Sequence, residues 1–322
     1  MMKNLSLTIV FIFAIQLFGS FKNDPVKKPS QKQGLKTIIV DAGHGGREPG
    51  THGAYSKEKD ICLDIALKLG KKLEEGFPDV KILYTRTDDT YPTNPWRAEF
   101  ANKNKGDLYI AIHANAMRPI KHTKFLGYRK ETYYTGKGKK RRKRTRSVPK
   151  YSVYYTPNTR YGTETYIWAA DRADEKEEFV AEQVEDSTEF IPDINDPEFK
   201  ARALLWTKKH FDKSLLLASF VEEEFTNAGR TSLGVKQRNE KGIWVLQATG
   251  MPSILVETGF MTNRDEEDYL NSAKGQEEIS QNIFNAVKRY KATIESKQIQ
   301  GASSLNTTGS HSAKPIASVS KK

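Results

Sequence analysis

Apolar residues along this chain gather into short runs that alternate with longer stretches of helical spacing. The runs LKTIIVD (35–41), VKILYT (80–85), LYIAIH (108–113), TETYIW (163–168), IWVL (243–246) and SILVE (253–257) predict six strands. Several are apolar at consecutive positions, the pattern of strands covered on both faces. Helical spacing predicts helices at about 57–75, 95–104, 200–227 and 275–293. In the first of these, Cys62, Ala66, Leu69 and Leu73 share a face, so the single cysteine reads as a buried thiol rather than a nucleophile. In the third, Leu204, Phe211, Leu215, Ala218 and Phe225 form the apolar stripe. Strands alternating with helices predict an α/β fold, a single domain with an open, mostly parallel sheet flanked by helices.

Two stretches break that rhythm and read as insertions around the domain. Residues 118–160 are basic, and nine of the fourteen residues from Lys137 to Lys150 are Lys or Arg. Residues 171–198 are acidic. Beyond the domain, which spans 36–295, the segment 21–35 reads as a polar linker and 296–322 as a disordered tail with little to bury. Residues 1–20 hold one Lys and then an apolar run from Leu5 to Phe18, too short for a comfortable membrane span. That pattern reads as a secretory signal peptide, with an uncleaved anchor as the alternative. The expected location is therefore across the inner membrane, in the periplasm or cell envelope.

Charge and composition narrow the class. The 322 residues carry 52 Lys+Arg against 40 Asp+Glu, a net charge of +12, and the mean hydropathy of −0.66 excludes a multi-span membrane protein. One cysteine cannot form an internal disulfide, so the fold must stand on its core. The basic balance and the KKRRKRTR run raise a nucleic-acid-binding reading. The signal-like start and the lack of a recognition motif argue against it, and no specific nucleic-acid partner is expected. A basic loop on an exported protein fits anionic wall or membrane polymers better, with a solvated flexible loop as the plain alternative.

The chemistry concentrates at strand exits. VDAGHGG (40–46) delivers His44 in a glycine-rich turn, and LYIAIHANA (108–116) delivers His113 after another apolar strand. Glu58 opens a predicted helix behind Ser56, which reads as its N-cap. His–Glu–His is a ligand combination for catalytic zinc that leaves a fourth position for water. Glu257 closes the strand in PSILVETGF, where a carboxylate needs a cation, a metal or a proton to move. In open α/β sheets the site lies outside the carboxyl ends of the strands, where His44, His113 and Glu257 are all expected. Asn115 follows His113 closely enough to touch a substrate. His52, His122, His210 and His311 read as surface groups, while packing or a salt bridge explains Arg86 and Arg97 at least as well as substrate binding.

VDAGHGGREPGTHG, the Glu58-Lys59 pair before LDIALKL, TRTDD (85–89), RAEFAN (97–102), DLYIAIHANA, GTETYIW, SLLLAS, LGVKQ and WVLQATGMPSILVETGFMTN run in order along the chain. In these segments it resembles the zinc-dependent N-acetylmuramoyl-L-alanine amidases of type 3, from residue 36 to about 290. The resemblance implies a twisted six-stranded sheet flanked by helices, Zn2+ held by His44, Glu58 and His113, and Glu257 as catalytic acid/base. It implies hydrolysis of the amide between N-acetylmuramic acid and L-alanine in peptidoglycan, and so a part in wall degradation and cell division. A wall-binding module that lost catalysis is the competing reading, disfavoured because all four catalytic positions are present. Some members of the family carry an inserted helical segment that covers the zinc until an activator protein displaces it. Residues 171–198 are placed for that role, with Glu178, Glu182 and Glu185 at helical spacing as autoinhibitory candidates; a solvated acidic helix face is the alternative.

Overall fold

The computed structural model describes residues 34–172, 175–176, 197–238 and 242–307. The N-terminal apolar run, His311 and Glu178, Glu182 and Glu185 lie outside the described residues. Six strands form one sheet: β1 (Thr37–Ala42), β2 (Lys81–Tyr84), β3 (Leu108–Asn115), β6 (Thr163–Ile167), β7 (Ser232–Gln237) and β8 (Ser253–Phe260), in the order β2-β1-β3-β8-β6-β7. Pairing is parallel from β2 through β8, antiparallel between β8 and β6, and parallel again between β6 and β7. The helices are α1 (Glu58–Gly76), α2 (Asn94–Lys103), α3 (Pro197–Asn227), α4 (Trp244–Ala248), α5 (Arg264–Asn271) and α6 (Ala273–Thr307). The α/β class and the mostly parallel six-stranded sheet flanked by helices hold as expected.

Strand alternation sorts the core into two layers. Ile38, Val40, Ala42, Ile110, Ile112, Ile254 and Val256 face one way, against α1, α3 and α6. Ile39, Tyr109, Ala111 and Leu255 face the other way, where Ala101, Val245 and Leu246 of α2 and α4 cover them. A sheet buried on both faces explains the unbroken apolar runs in β1, β3 and β8. Cys62 is fully buried in α1, as expected.

Four local readings are corrected. IWVL is not a strand: Trp244–Ala248 forms a short helix whose Val245, Leu246 and Ala248 are buried against the sheet. The sixth strand is SLGVKQ at the sheet edge, where half-buried residues need no apolar run. The buried stripe of α3 includes Ala203, Thr207, His210, Ser214, Leu217, Val221 and Phe225, whereas Leu204 and Leu215 are exposed. Polar members of that stripe hid its true phase from a reading confined to apolar residues. His210 is accordingly buried, and burial, aided by the neighbouring Lys176 charge, pushes its imidazole well below the usual range. Lys176 itself is sunk in the domain, its Nζ donating to Leu246 O and to Thr249 O at 2.6 Å; burial pushes its ammonium down to about 7.

Two boundaries also shift. The last helix continues to Thr307, past residue 296 where the tail is expected to begin. The basic insertion is a long antiparallel ribbon, β4 (Ile120–Thr135) with β5 (Arg142–Thr156), forming its own two-stranded sheet. Alternating β-branched and aromatic residues such as Tyr-Ser-Val-Tyr favour that pairing over a loop.

Candidate metal centre

β1, β3 and β8 are adjacent and parallel, so their carboxyl ends open on one edge. Ala42 pairs with Ile112, and His113 pairs with Glu257. His44 therefore emerges beside His113, and Glu257 beside His113 on the next strand. β8 runs on to Phe260, so Glu257 sits within the strand rather than at its end.

Glu58 comes from the first residue of α1. Ser56 is not the cap: Lys57 holds that position with no side-chain hydrogen bond, and Ser56 Oγ instead donates to Glu267 Oε1 at 2.8 Å. The first helical amides of α1 are satisfied by the preceding loop, Glu58 N donating to Thr51 O and Lys59 N to Pro49 O. Glu267 of α5 accepts hydrogen bonds from the amides of Ala54, Tyr55 and Ser56 and so fixes the loop that aims Glu58. No local sequence signal links residues more than two hundred positions apart.

Glu58 Oε1 lies 3.0 Å from His44 Nε2 and 2.9 Å from His113 Nδ1. One ligand atom from each residue lies within 4.8 Å of the others, and among the described residues this is the one group of the kind. Glu58 Oε2 is held by Thr51 N at 2.8 Å. Glu48 Oε1 stands 3.2 Å from His44 Nδ1, an ion-pair contact on the side of the ring away from Glu58. Burial opposes the charge on Glu58, yet hydrogen bonds from His113 and His44 hold its carboxyl far below the usual carboxylate range. Burial likewise opposes a charge on His44, but Glu58 and Glu48 raise it above the ordinary value. Two nitrogens and an ionised oxygen meeting at such distances suit a divalent ion, which would take the place of the shared protons.

The turn that carries His44 is held by two buried arginines. His44 adopts φ 59°, a left-handed conformation that costs an ordinary residue about 1–2 kcal/mol. Arg97 donates to Ala42 O at 2.7 Å and His44 O at 2.6 Å, while Arg86 donates to Ala42 O, Gly43 O and Lys59 O. Arg97 is paired with Asp41, which also accepts from Thr85 Oγ1 at 2.5 Å and Tyr109 OH at 2.7 Å. Burial pushes the Asp41 carboxyl up, but Arg97, Thr85 and Tyr109 more than offset it and hold it below the usual range. Arg86 and Arg97 therefore act on the backbone under the site. Gly43 is required by space, since a Cβ there would stand 2.5 Å from the His113 ring.

Glu257 is half-buried, and its Oε2, fully covered, meets no hydrogen-bond partner among the described residues. Burial, with the charges of Glu58 and Glu164, pushes its carboxyl well above the usual range. Glu164 is a neighbour that sequence reasoning missed: it pairs with Glu257 across β6 and β8 and is itself buried. Its carboxylate accepts from Asn115 Nδ2 at 3.2 Å, Arg160 at 2.7 Å and Tyr166 OH at 2.9 Å. Asn115 is thus beside the site but engaged with Glu164, and its Oδ1 accepts from Ala116 N. A glutamate inside the predicted strand TETYIW, where burial would demand partners for its charge, was the available signal. His52 is exposed and His122 half-buried at 2.8 Å from Thr156 Oγ1, and neither belongs to this group.

Two histidines from strand ends and a helix-borne glutamate converge above a covered sheet, with a raised carboxyl on the next strand, which makes this an α/β protein with a candidate metal site. The chain belongs to the N-acetylmuramoyl-L-alanine amidase family, whose model matches residues 38–289. It is 28% identical over 259 residues to the amidase AmiC of Escherichia coli O6:H1, covering 79% of this chain and 52% of that protein. A putative N-acetylmuramoyl-L-alanine amidase of Buchnera aphidicola from Acyrthosiphon pisum is also 28% identical, over 79% of this chain and 94% of its own length. The chain thus spans about half the length of one such relative and nearly all of another. Among solved structures, an N-acetylmuramoyl-L-alanine amidase from Clostridium difficile 630 superposes with a TM-score of 0.51 at 25% identity, over 80% of this chain and 97% of that one. AmiC2 of Nostoc punctiforme shares the fold, with a TM-score of 0.51 at 20% identity over 79% and 96% of the two chains.

Proposed function

We propose that the chain hydrolyses the amide bond between N-acetylmuramic acid and L-alanine in peptidoglycan, using Zn2+ held by His44, Glu58 and His113. The observation that supports it most directly is the meeting of those three donors beside Glu257, whose Oε2 has no hydrogen-bond partner among the described residues, in a chain of this family. Such an ion supplies Lewis-acid activation of a carbonyl and of water, and its charge offsets the repulsion between Glu58 and Glu257. The Glu257 carboxylate takes the proton from the attacking water and passes it to the leaving amine of L-alanine. Strand pairing with His113 on one side and Glu164 on the other positions the Glu257 backbone, and Asn115, which donates to the Glu164 carboxylate, is the candidate substrate contact. Because peptidoglycan lies outside the inner membrane, the working location is the periplasm or cell envelope.

Digestion of purified peptidoglycan by the zinc-loaded protein should release peptides with free L-alanine amino termini and leave glycan strands at full length, read by mass. New reducing sugar ends, or cuts inside the stem peptide, would reject the assignment. A chelator should abolish the release, and zinc should restore it.

Residues 171–198, which follow β6 and run into the first turn of α3, serve in this reading as a cover over the site, with Glu178, Glu182 and Glu185 as its carboxylates and an activator protein as its release. Deleting about residues 174–196 should raise hydrolysis of purified peptidoglycan several-fold. Unchanged activity in a deletion that folds and binds zinc would remove the cover from the mechanism.

A further inference from the structure

The ribbon of β4 and β5 accounts for the entire charge of the protein. Between Ile120 and Thr156 stand thirteen Lys or Arg and one Glu, so the remaining residues balance to zero net charge. The same stretch holds seven aromatic rings, six of them Tyr. Among the described residues its strands pair only with each other, and most of its side chains are exposed on both faces.

Register gathers most of the aromatic rings on one face and most of the strand cations on the other, with Tyr133 and Tyr154 on the cationic face. Phe125 pairs with Tyr151 and Tyr128 with Pro149, while a bulge between Phe125 and Gly127 inserts one extra residue. Without the bulge, Phe125 and Tyr128 would point to opposite faces; with it they share one. Their rings touch at 5.3 Å, and Phe125 meets Tyr151 at 5.7 Å. Val153 and Tyr155 continue the same face, giving an exposed aromatic band in which Tyr128 is 71% accessible. The opposite face carries Lys124, Arg129, Arg142, Arg144, Arg146 and Lys150. Four more cations sit in the turn at 137–141, and three lysines flank the aromatic band.

The ribbon is joined to the site by short links. β4 begins five residues after Asn115, and β5 ends eight residues before Glu164. The base is pinned by Met117 N to Thr262 Oγ1 at 3.0 Å, by Asn158 Nδ2 to Arg118 O at 3.3 Å, and by Asn263 Nδ2 to Thr159 O at 3.0 Å.

We propose that this ribbon is a binding arm for polymeric peptidoglycan at a distance from the bond being cut, its tyrosine face stacking on sugar rings and its arginine face pairing with stem-peptide carboxylates. This rests on the amidase reading for the identity of the polymer. A planar bilayer meets one face of a ribbon at a time. Seating the aromatic band in it would turn the six cations of the other face away from the headgroups, by about the range over which salt screens charge. A polymer mesh surrounds the arm and engages both faces. Tyr offers a ring face for stacking on a sugar and a hydroxyl for hydrogen bonding to it. Binding at a distance from the reacting bond tightens capture of the polymer without changing the chemical step.

The test uses the full zinc-loaded chain in a Glu257→Gln background, so that binding is read without hydrolysis. Three forms are compared: the unaltered ribbon, an aromatic-face variant (Phe125→Ser, Tyr128→Ser, Tyr151→Ser, Tyr155→Ser) and a cationic-face variant (Arg129→Gln, Arg142→Gln, Arg144→Gln, Arg146→Gln). Cosedimentation with purified sacculi should weaken about tenfold or more in each variant, and for the unaltered ribbon it should fall between 0.05 and 0.5 M salt. With Glu257 restored, KM on sacculi should rise in both variants while kcat/KM on a soluble disaccharide-peptide stays within about twofold. Equal sedimentation of all three forms overturns the proposal. So does ribbon-dependent retention on phosphatidylglycerol vesicles or single-stranded DNA with none on sacculi. If the soluble fragment is not cut by any form, the amidase reading fails, while sacculus binding still reports on the arm.

Discussion

His113→Ala should lose most bound zinc and all measurable amidase activity, whereas Glu257→Gln should keep zinc near one equivalent and still lose about 10²–10⁴-fold in kcat. The two outcomes differ because the residues do different work on neighbouring strands. His113 Nδ1 is one of three atoms converging on a single point with Glu58 Oε1 and His44 Nε2. Removing one leaves two donors, and the loss of affinity should exceed the 10–100-fold that removal of an outer partner costs. Glu257 contributes no atom to that group, and among the described residues its Oε2 is without a hydrogen-bond partner. The amide of Gln keeps its shape but cannot carry a proton between water and amine. Metal analysis beside single-turnover kinetics separates the cases. Zinc lost equally in Glu257→Gln would make that residue a ligand, and full zinc in His113→Ala would dissolve the site.

Asp41→Ala should destabilise the domain by about 3–5 kcal/mol, the cost of leaving a buried charge without its partner. Arg97 is 1% exposed and has no route to water. Asp41 also accepts from Thr85 and Tyr109, so the substitution strands two hydroxyl groups as well. For a domain of this size the change corresponds to a fall in Tm of about 6–20 °C. Glu99→Ala, which breaks an exposed pair with Lys103, should shift stability by less than about 1 kcal/mol. Because Arg97 also grips His44 O, zinc content in Asp41→Ala should fall before the domain unfolds and recover with excess zinc. Thermal unfolding monitored together with bound metal would show this; a Tm within 2 °C of the parent would mean Arg97 finds another partner.

The sequence by itself determined the class of fold, since β1, β3 and β8 are apolar on both faces and only a sheet covered by helices buries them. It also determined the residues with chemistry, because His44, His113 and Glu257 each interrupt or follow a run that gives no structural reason for them. Tertiary structure decided what local pattern could not carry. SLGVKQ is a strand because it pairs at the edge with β6, and IWVL is a helix because it caps the second layer of core. The stripe of α3 runs through His210 and Ser214, whose burial depends on what covers them and not on their polarity. Glu267 aims the loop before Glu58 from more than two hundred residues away, and Glu164 meets Glu257 only through antiparallel pairing. The split of the basic insertion into aromatic and cationic faces hangs on one bulge, because a single extra residue exchanges the faces of every position beyond it.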